Sequence, residues 1–323
     1  MTLFNQIPGI QVGHAQNLAA ATGCTVVLTT AGAICGVDQR GGAPGTREIS
    51  LLQPMHLVEK VNAVLLAGGS AFGLAAADGV MRWLEEHHFG LDVNVAYVPI
   101  VPAAVLFDLL IGRSDIRPDA AMGYAACQNA VTEPSEPQAG SIGAGTGATV
   151  GKILGPQAAV KAGVGTAVIE VRPNLFVGAL IAVNCFGDVI DPQSGQILAG
   201  ARKLPDGGFA DTMQVMKQTT GAFIKPGNTV IGLVATNAPL SKETANKVAQ
   251  MAHNGLARTI RPTHTMFDGD TLFALSTGQG QPGDVNLIGA FAAEAVAQAV
   301  IDAVQQATSL AGVPALRDLT TKA

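Results

Sequence analysis

The sequence is short of charge, of aromatic rings and of the residue clusters that mark the commonest kinds of site. Only 13% of its 323 residues are charged and 4% aromatic, with one Trp and two Tyr. A core without large rings must be built from small and β-branched side chains, which let backbone layers approach closely. No basic cluster is present and the net charge is −5, which speaks against nucleic acid as a partner. Cys24, Cys35, Cys127 and Cys185 form no CxxC pair and no disulfide framework; they read as reduced, buried thiols of a cytoplasmic protein. The six histidines give no HExxH and no His/Cys cluster, so no metal site is indicated. No basic stretch followed by an apolar one opens the chain, and Pro99 and Pro102 break the apolar run between Asp92 and Asp108. Neither a signal peptide nor a membrane span is expected.

What is present is a chain 48% hydrophobic with 39 glycines, enough for one large globular domain or two ordinary ones. Short β-branched runs read as strands at Cys24–Thr29, Ala63–Ala67, Val93–Val98, Gly165–Val171, Phe176–Val183, Thr229–Ala235 and Thr271–Ser276. Helical patterns occupy Ala71–His88, Ala120–Ala130, Lys242–Arg258 and Leu287–Thr308. Ser241 before Glu243-Thr244 is an N-cap signal, and Gly255 predicts that helix's end. The last helix carries Ala and Val on nearly every side and is expected between layers. Two strands follow one another directly across 165–183, which favours stacked sheets with helices outside over a doubly wound parallel sheet. Residues 132–147 read as a surface loop followed by a tight glycine-lined segment, not as a domain boundary.

Several motifs compete for a function. Gly143–Lys152 fits a permissive dinucleotide fingerprint but lacks the preceding strand and the later acid, and it is one residue too short for a phosphate loop. Its glycines read as close packing or a pocket wall, with Lys152 pointing in. The stretch Ala67–Gly73 misses the serine-hydrolase elbow by its second glycine. Asp268 and Asp270, one residue apart at the mouth of an apolar strand, read either as paired carboxylates or as an Asp-Gly hairpin turn. Asn184 ends a strongly apolar strand, where its amide is either structural or an oxyanion donor. In "KPGNTVIGLVATNAPL" a Pro226-Gly227 turn leads through Asn228-Thr229 into a buried strand.

Taken in order, "GIQVGHA", "GCTVVL", "RGGAPGTRE", "LLAGGSAFGL", "VPIVPAAVLFDL", "GAGTGATVGK", "VNCFGD", "GNTVIGLVATNAPL" and "FDGDTLFALSTG" resemble the DmpA-type peptidases, the P1 family, over nearly the whole chain. That family includes aminopeptidases acting also as D-amidases or D-esterases, β-peptidyl aminopeptidases and nylon-oligomer hydrolases. The resemblance implies an α+β fold, a four-layer α-β-β-α sandwich formed by one domain over residues 1–323. It also implies self-cleavage at Asn228-Thr229, leaving fragments 1–228 and 229–323 with Thr229 as the N-terminal nucleophile. By the same carry-over Asn184 is the oxyanion donor, Asp268 and Asp270 hold the nucleophile and the substrate amine, and Lys152 is an active-site lysine. Tyr124 is carried over as a pocket residue. Aminopeptidase members typically carry Ser as nucleophile with Ser and Glu at the paired positions. The set Thr229, Asp268, Asp270 and Lys152 is more similar to the nylon-oligomer hydrolases.

The implied substrate is a small-molecule or oligomeric amide with a free amine, and the implied assembly a homo-oligomer, a tetramer in many members. No cofactor is expected. Related readings are an aminopeptidase of the same family and an acyl transferase of the ornithine-acetyltransferase type. Chemically, a threonine hydroxyl needs a neighbouring base, and a freed α-amine with a pKa of about 8 provides one.

Overall fold

Nine strands form one continuous sheet in the computed structural model, which describes residues 4–132, 139–205, 207–219 and 227–320. In chain order they are β1 (Gln11–Asn17), β2 (Thr22–Gln39), β3 (Thr46–Arg47), β4 (Val61–Ala67) and β5 (Ala103–Val105). β6 (Val164–Arg172), β7 (Leu175–Asn184), β8 (Thr229–Thr236) and β9 (Thr271–Ser276) complete the set. The spatial order is β6-β7-β8-β9-β2-β4-β5-β3, with β1 pairing β2 from the side. Only β8–β9 and β4–β5 are parallel among these pairings. The long β2 serves both halves: Cys24–Leu28 pair with β4, and Ile34–Gln39 pair with β9.

Side-chain alternation sends successive residues to opposite faces, so each strand feeds two apolar clusters. Odd residues of β7, from Leu175 to Val183, pack with Val230 and Val234 of β8 against two helices, α4 (Lys242–Thr259) and α5 (Val285–Gln305). Leu180 and Ala182 of β7, with Ile231 and Leu233 of β8, face the other way and meet Val27, Val64 and Leu66 of β2 and β4. The opposite faces of β2 and β4 (Val26, Leu28, Ala63, Leu65) pack under α1 (Ala76–Glu86) and α2 (Ala120–Thr132). A shorter helix, α3 (Thr212–Gln218), is capped by Asp211. β8 lies between β7 and β9, and all eight of its residues are buried, so its first residue is fixed by neighbours on both sides.

The observed elements depart from the sequence pattern in a few places. Val93–Val98 does not form a strand; Leu91–Asp92 and Tyr97–Val98 pair as a small hairpin with Asn94 at φ 66, because no layer covers that stretch. Gly255 does not end α4, which runs on to Thr259. That glycine is a crossing point instead: a Cβ there would lie 2.4 Å from the Ala293 carbonyl of α5. Residues 70–75 form a 3-10 turn before α1, so the helix begins later than its periodicity predicts. By length and composition, α5 alone among the described helices could cross a membrane, yet 61% of its apolar window is buried in the fold. Residues 133–138 of the expected loop, and Lys225-Pro226 ahead of β8, lie outside the described residues.

Candidate active site

Three strand ends meet around Thr229. The antiparallel register of β7 and β8 sets Asn184, the last residue of β7, opposite Thr229, the first of β8. One residue earlier, Asn228 bridges Asp268 in parallel, which extends the β8–β9 pairing by a step. The Asp-Gly pair therefore leads into a strand parallel to β8, and the hairpin-turn reading does not hold. Asn184, Asn228, Thr229, Asp268 and Asp270 are all buried.

Most polar groups in this interior have a hydrogen-bond partner, and the exceptions include Asp268 Oδ1 and His264 Nε2. Asn184 Oδ1 accepts from Lys152 Nζ at 2.7 Å and from the Thr149 N–H at 3.1 Å, while its Nδ2 donates to the Phe107 carbonyl at 2.8 Å. Lys152 Nζ also donates to the carbonyls of Asn184 (3.1 Å) and Gly227 (3.2 Å). Its three hydrogens are thus matched by three acceptors. Burial pulls the Lys152 pKa down to about 8, partly offset by the negative charge of Asp268 and by Asp108. Cys185, next along the chain, is held well above the ordinary thiol range, first by burial, and is not a thiolate nucleophile here.

The Thr229 hydroxyl donates to the Asn228 carbonyl, the group a self-attack would reach, in the uncut chain. That same carbonyl oxygen accepts the Gly269 N–H at 3.2 Å. Gly269 is glycine for lack of room: a Cβ would lie 2.6 Å from the Ala43 carbonyl and 2.9 Å from Thr229 Oγ1. The turn from Arg40 to Ala43 closes over this point, with the Ala43 N–H donating to the Asp268 carbonyl at 2.9 Å and Arg40 N–H to that of Asp270 at 3.0 Å.

The two carboxylates are treated differently. Asp270 Oδ1 accepts the Val230 N–H at 2.8 Å, directly after the threonine. Its Oδ2 accepts from Thr263 Oγ1 (3.1 Å), the His264 N–H (3.0 Å) and His264 Nδ1 (2.8 Å). Asp268 Oδ2 accepts the N–H and hydroxyl of Thr265, but Asp268 Oδ1 is buried with no partner. Burial, then the neighbouring charge of Asp270, raises the Asp268 pKa above the ordinary carboxylate value. The surroundings of Asp268 thus oppose its charged form.

The chain matches the family model described as Peptidase family S58 over residues 4–316. The chain belongs to peptidase family S58. As a member of S58, the DmpA-type family, it is a hydrolase acting on amide bonds. This S58 chain is 44% identical to an uncharacterized aminopeptidase of Mycobacterium tuberculosis (strain ATCC 25618 / H37Rv), over 99% of the chain and 98% of that protein. It is 31% identical to a 6-aminohexanoate-oligomer endohydrolase of Kocuria sp. (strain KY2), over 94% of the chain and 86% of that protein. Among solved structures it is similar to an L-aminopeptidase D-Ala-esterase/amidase from Ochrobactrum anthropi, described as a variant of the Ntn hydrolase fold. The TM-score is 0.70 at 19% identity, covering 94% of this chain and 85% of that one. A Burkholderia sp. beta-aminopeptidase gives 0.66 at 21% identity, covering 98% and 93%. Both likenesses concern the fold.

Of the residues named from the sequence, the structure gathers Asn228, Thr229, Asn184, Lys152, Asp268 and Asp270. It does not gather Tyr124, whose hydroxyl donates to Glu86 at 2.7 Å with Arg82 over its ring, on the α1–α2 surface. Sequence reasoning missed the Gly269 N–H, the Phe107 carbonyl and the Thr263-His264-Thr265 turn. The only sequence signal for the last is its position just ahead of the Asp-Gly-Asp triplet.

Proposed function

We propose that this S58 chain is a self-processing N-terminal-threonine amide hydrolase that cleaves short linear amides with a free amine, such as 6-aminohexanoate oligomers. One observation carries the reading: the Thr229 hydroxyl lies against the carbonyl of the residue before it, at the buried start of a central strand, and that carbonyl already takes a main-chain donor.

Self-cleavage then needs only local moves. Thr229 Oγ1 attacks the Asn228 carbonyl carbon, and the Gly269 N–H holds the oxygen as negative charge develops. The Asn228–Thr229 C–N bond breaks, the nitrogen takes up the proton given by the hydroxyl, and Asn228 is left esterified to Thr229. Water hydrolyses that ester, freeing the Asn228 carboxylate, the Thr229 hydroxyl and the Thr229 amine.

In turnover the new amine takes the hydroxyl proton as Thr229 attacks the substrate amide. Asn184 has a second N–H beyond the one given to Phe107, and we assign that donor to the substrate oxyanion. Lys152 acts as a clamp, because its hydrogens are committed to Asn184 and Gly227 and leave it no acceptor role. Asp268 Oδ1, the oxygen without a partner, is the group we assign to the substrate ammonium, whose arrival favours the ionised carboxylate. The acyl-Thr229 ester is finally hydrolysed.

The same reading takes the layers of the fold as a four-layer α-β-β-α sandwich, cut into fragments 1–228 and 229–323, and the protein as a cytoplasmic homotetramer.

Denaturing electrophoresis tests the core of the proposal. Wild type is expected as two fragments, and Thr229→Ala as one chain without activity; a single, fully active wild-type chain sinks it. A second reading, an aminopeptidase, is favoured by the 44%-identical relatives that carry that name. Hydrolysis of 6-aminohexanoate oligomers against amino-acid p-nitroanilides separates the two, and an added amine acceptor exposes any acyl transfer of the ornithine-acetyltransferase type.

A further inference from the structure

His264 stood alone in the sequence, and the fold places it against the site. It sits in the left-handed region at φ 58, in the turn between α4 and β9. From there it gives Asp270 Oδ2 two donors at once, its main-chain N–H and its ring Nδ1. Thr263 adds a third to the same oxygen, and Thr265 fastens the neighbouring Asp268. Asp270, held in this way, spends its other oxygen on the Val230 N–H, one bond beyond Thr229. The imidazole is itself braced: His253 of α4 meets it edge-on at 4.9 Å between ring centres, and His253 Nε2 is bonded to the Asp38 carbonyl of β2 at 3.0 Å.

A carboxylate at the head of a strand has rotational freedom unless both oxygens are held. Asp270 is 1% exposed, so solvent does not hold it. Without the ring donor, the Oδ2 side keeps only the Thr263 hydroxyl and one main-chain N–H, and the carboxylate can turn about its Cβ–Cγ bond. The Val230 N–H, and with it the placement of the Thr229 hydroxyl over the carbonyl, would loosen. Precise placement of reacting atoms carries much of the rate in such reactions.

We propose that His264 is a positioning residue for the threonine: its Nδ1–H locks Asp270, and Asp270 locks the first step of β8. The same turn divides the two acids, because it saturates Asp270 and leaves Asp268 one open oxygen. This rests on Thr229 being the nucleophile, which Thr229→Ala tests separately in the same experiment.

The test compares wild type with His264→Asn and His264→Leu. Asparagine keeps a donor near the Nδ1 position and tolerates the left-handed backbone, whereas leucine loses the donor. Self-cleavage is followed by denaturing electrophoresis, and kcat and KM are measured on 6-aminohexanoyl p-nitroanilide together with the melting temperature. His264→Leu is expected to slow self-cleavage and lower kcat by about 10- to 100-fold, with KM little changed, and His264→Asn to recover most of the loss. Wild-type rates in His264→Leu overturn the proposal, as does a His264→Asn protein that melts like wild type but is as slow as the leucine variant. Nitrogen NMR of the wild-type imidazole gives a reading that does not depend on either variant folding. It should show the proton on Nδ1, and a ring carrying its proton on Nε2 alone also overturns the proposal. If Thr229→Ala still cuts and turns over, the nucleophile assignment fails, independently of what the His264 variants do.

Discussion

Lys161 lies in one small antiparallel pair, Thr149–Val150 against Val160–Lys161, and Lys152 follows Val150 by two residues; burial has pulled both lysines far from their ordinary pKa. Lys161 is the more extreme of the two: it is fully buried and its pKa is lowered to about 7, against about 8 for Lys152. A perturbed pKa alone would pick Lys161 as the functional group. The acceptors point the other way. Lys161 Nζ donates to the carbonyls of Gly145 (3.1 Å), Ala148 (3.0 Å) and Ala162, all main-chain groups of the glycine-rich segment and its neighbouring strand. Lys152 Nζ donates to the side chain of Asn184 and to Gly227, two residues before Thr229. Burial shifts a pKa wherever it occurs; what an ammonium does is set by the groups it holds.

The comparison is broken most directly by removing each lysine in turn. Lys152→Met should lower kcat/KM by about 10²- to 10³-fold and slow self-cleavage, because Asn184 loses the donor that orients it. A smaller effect of a different kind is expected of Lys161→Met: a loss of about 1–3 kcal/mol in denaturant unfolding, from carbonyls left without a donor, with kcat within about threefold of wild type. If Lys161→Met folds normally and is as inactive as Lys152→Met, the distinction between the two lysines is wrong.

The comparison also extends to the pH dependence of stability. With a folded pKa near 7 against an ordinary 10.5, Lys161 binds fewer protons in the folded chain than in the unfolded one between those values. Stability therefore rises with pH across that window and is lowest, on this account, below about pH 7; the slope is at most about 1.4 kcal/mol per pH unit for one lysine. Lys152 adds the same sign from about 8 upward. Urea midpoints measured from pH 7 to 10 should climb in wild type and climb less in Lys161→Met. An equal climb in both proteins would remove Lys161 as the cause.

Much of the fold was legible in the chain. The β-branched runs from Phe176 to Val183 and from Thr229 to Ala235 marked strands that the structure extends by only a residue or two. The Ser241 cap gave the start of α4, and the structure adds a capping box with Thr244. Errors came where cover decided the outcome. Val93–Val98 has a strand's composition but no layer above it, and Gly255 has a helix-ender's composition but stands where α5 passes too close for a Cβ. At the candidate site, residue types at family positions named Thr229, Asn184, Lys152 and the two acids. They could not name His264 or the Gly269 N–H, because neither an isolated histidine nor a main-chain donor leaves a pattern.

By itself the sequence determined the layered α and β elements, the buried strand that opens at Thr229 and the family. Those follow from periodicities and motifs that are local along the chain. Tertiary structure alone decided which oxygen of Asp268 stays free, which atoms clamp Asn184 and which lysine touches the site. The reason is distance along the chain: Asn184 is held by groups 32, 35 and 77 residues away, and Val230 by an acid 40 residues on. Such bonds exist only after the layers have packed, and no spacing in the sequence encodes them.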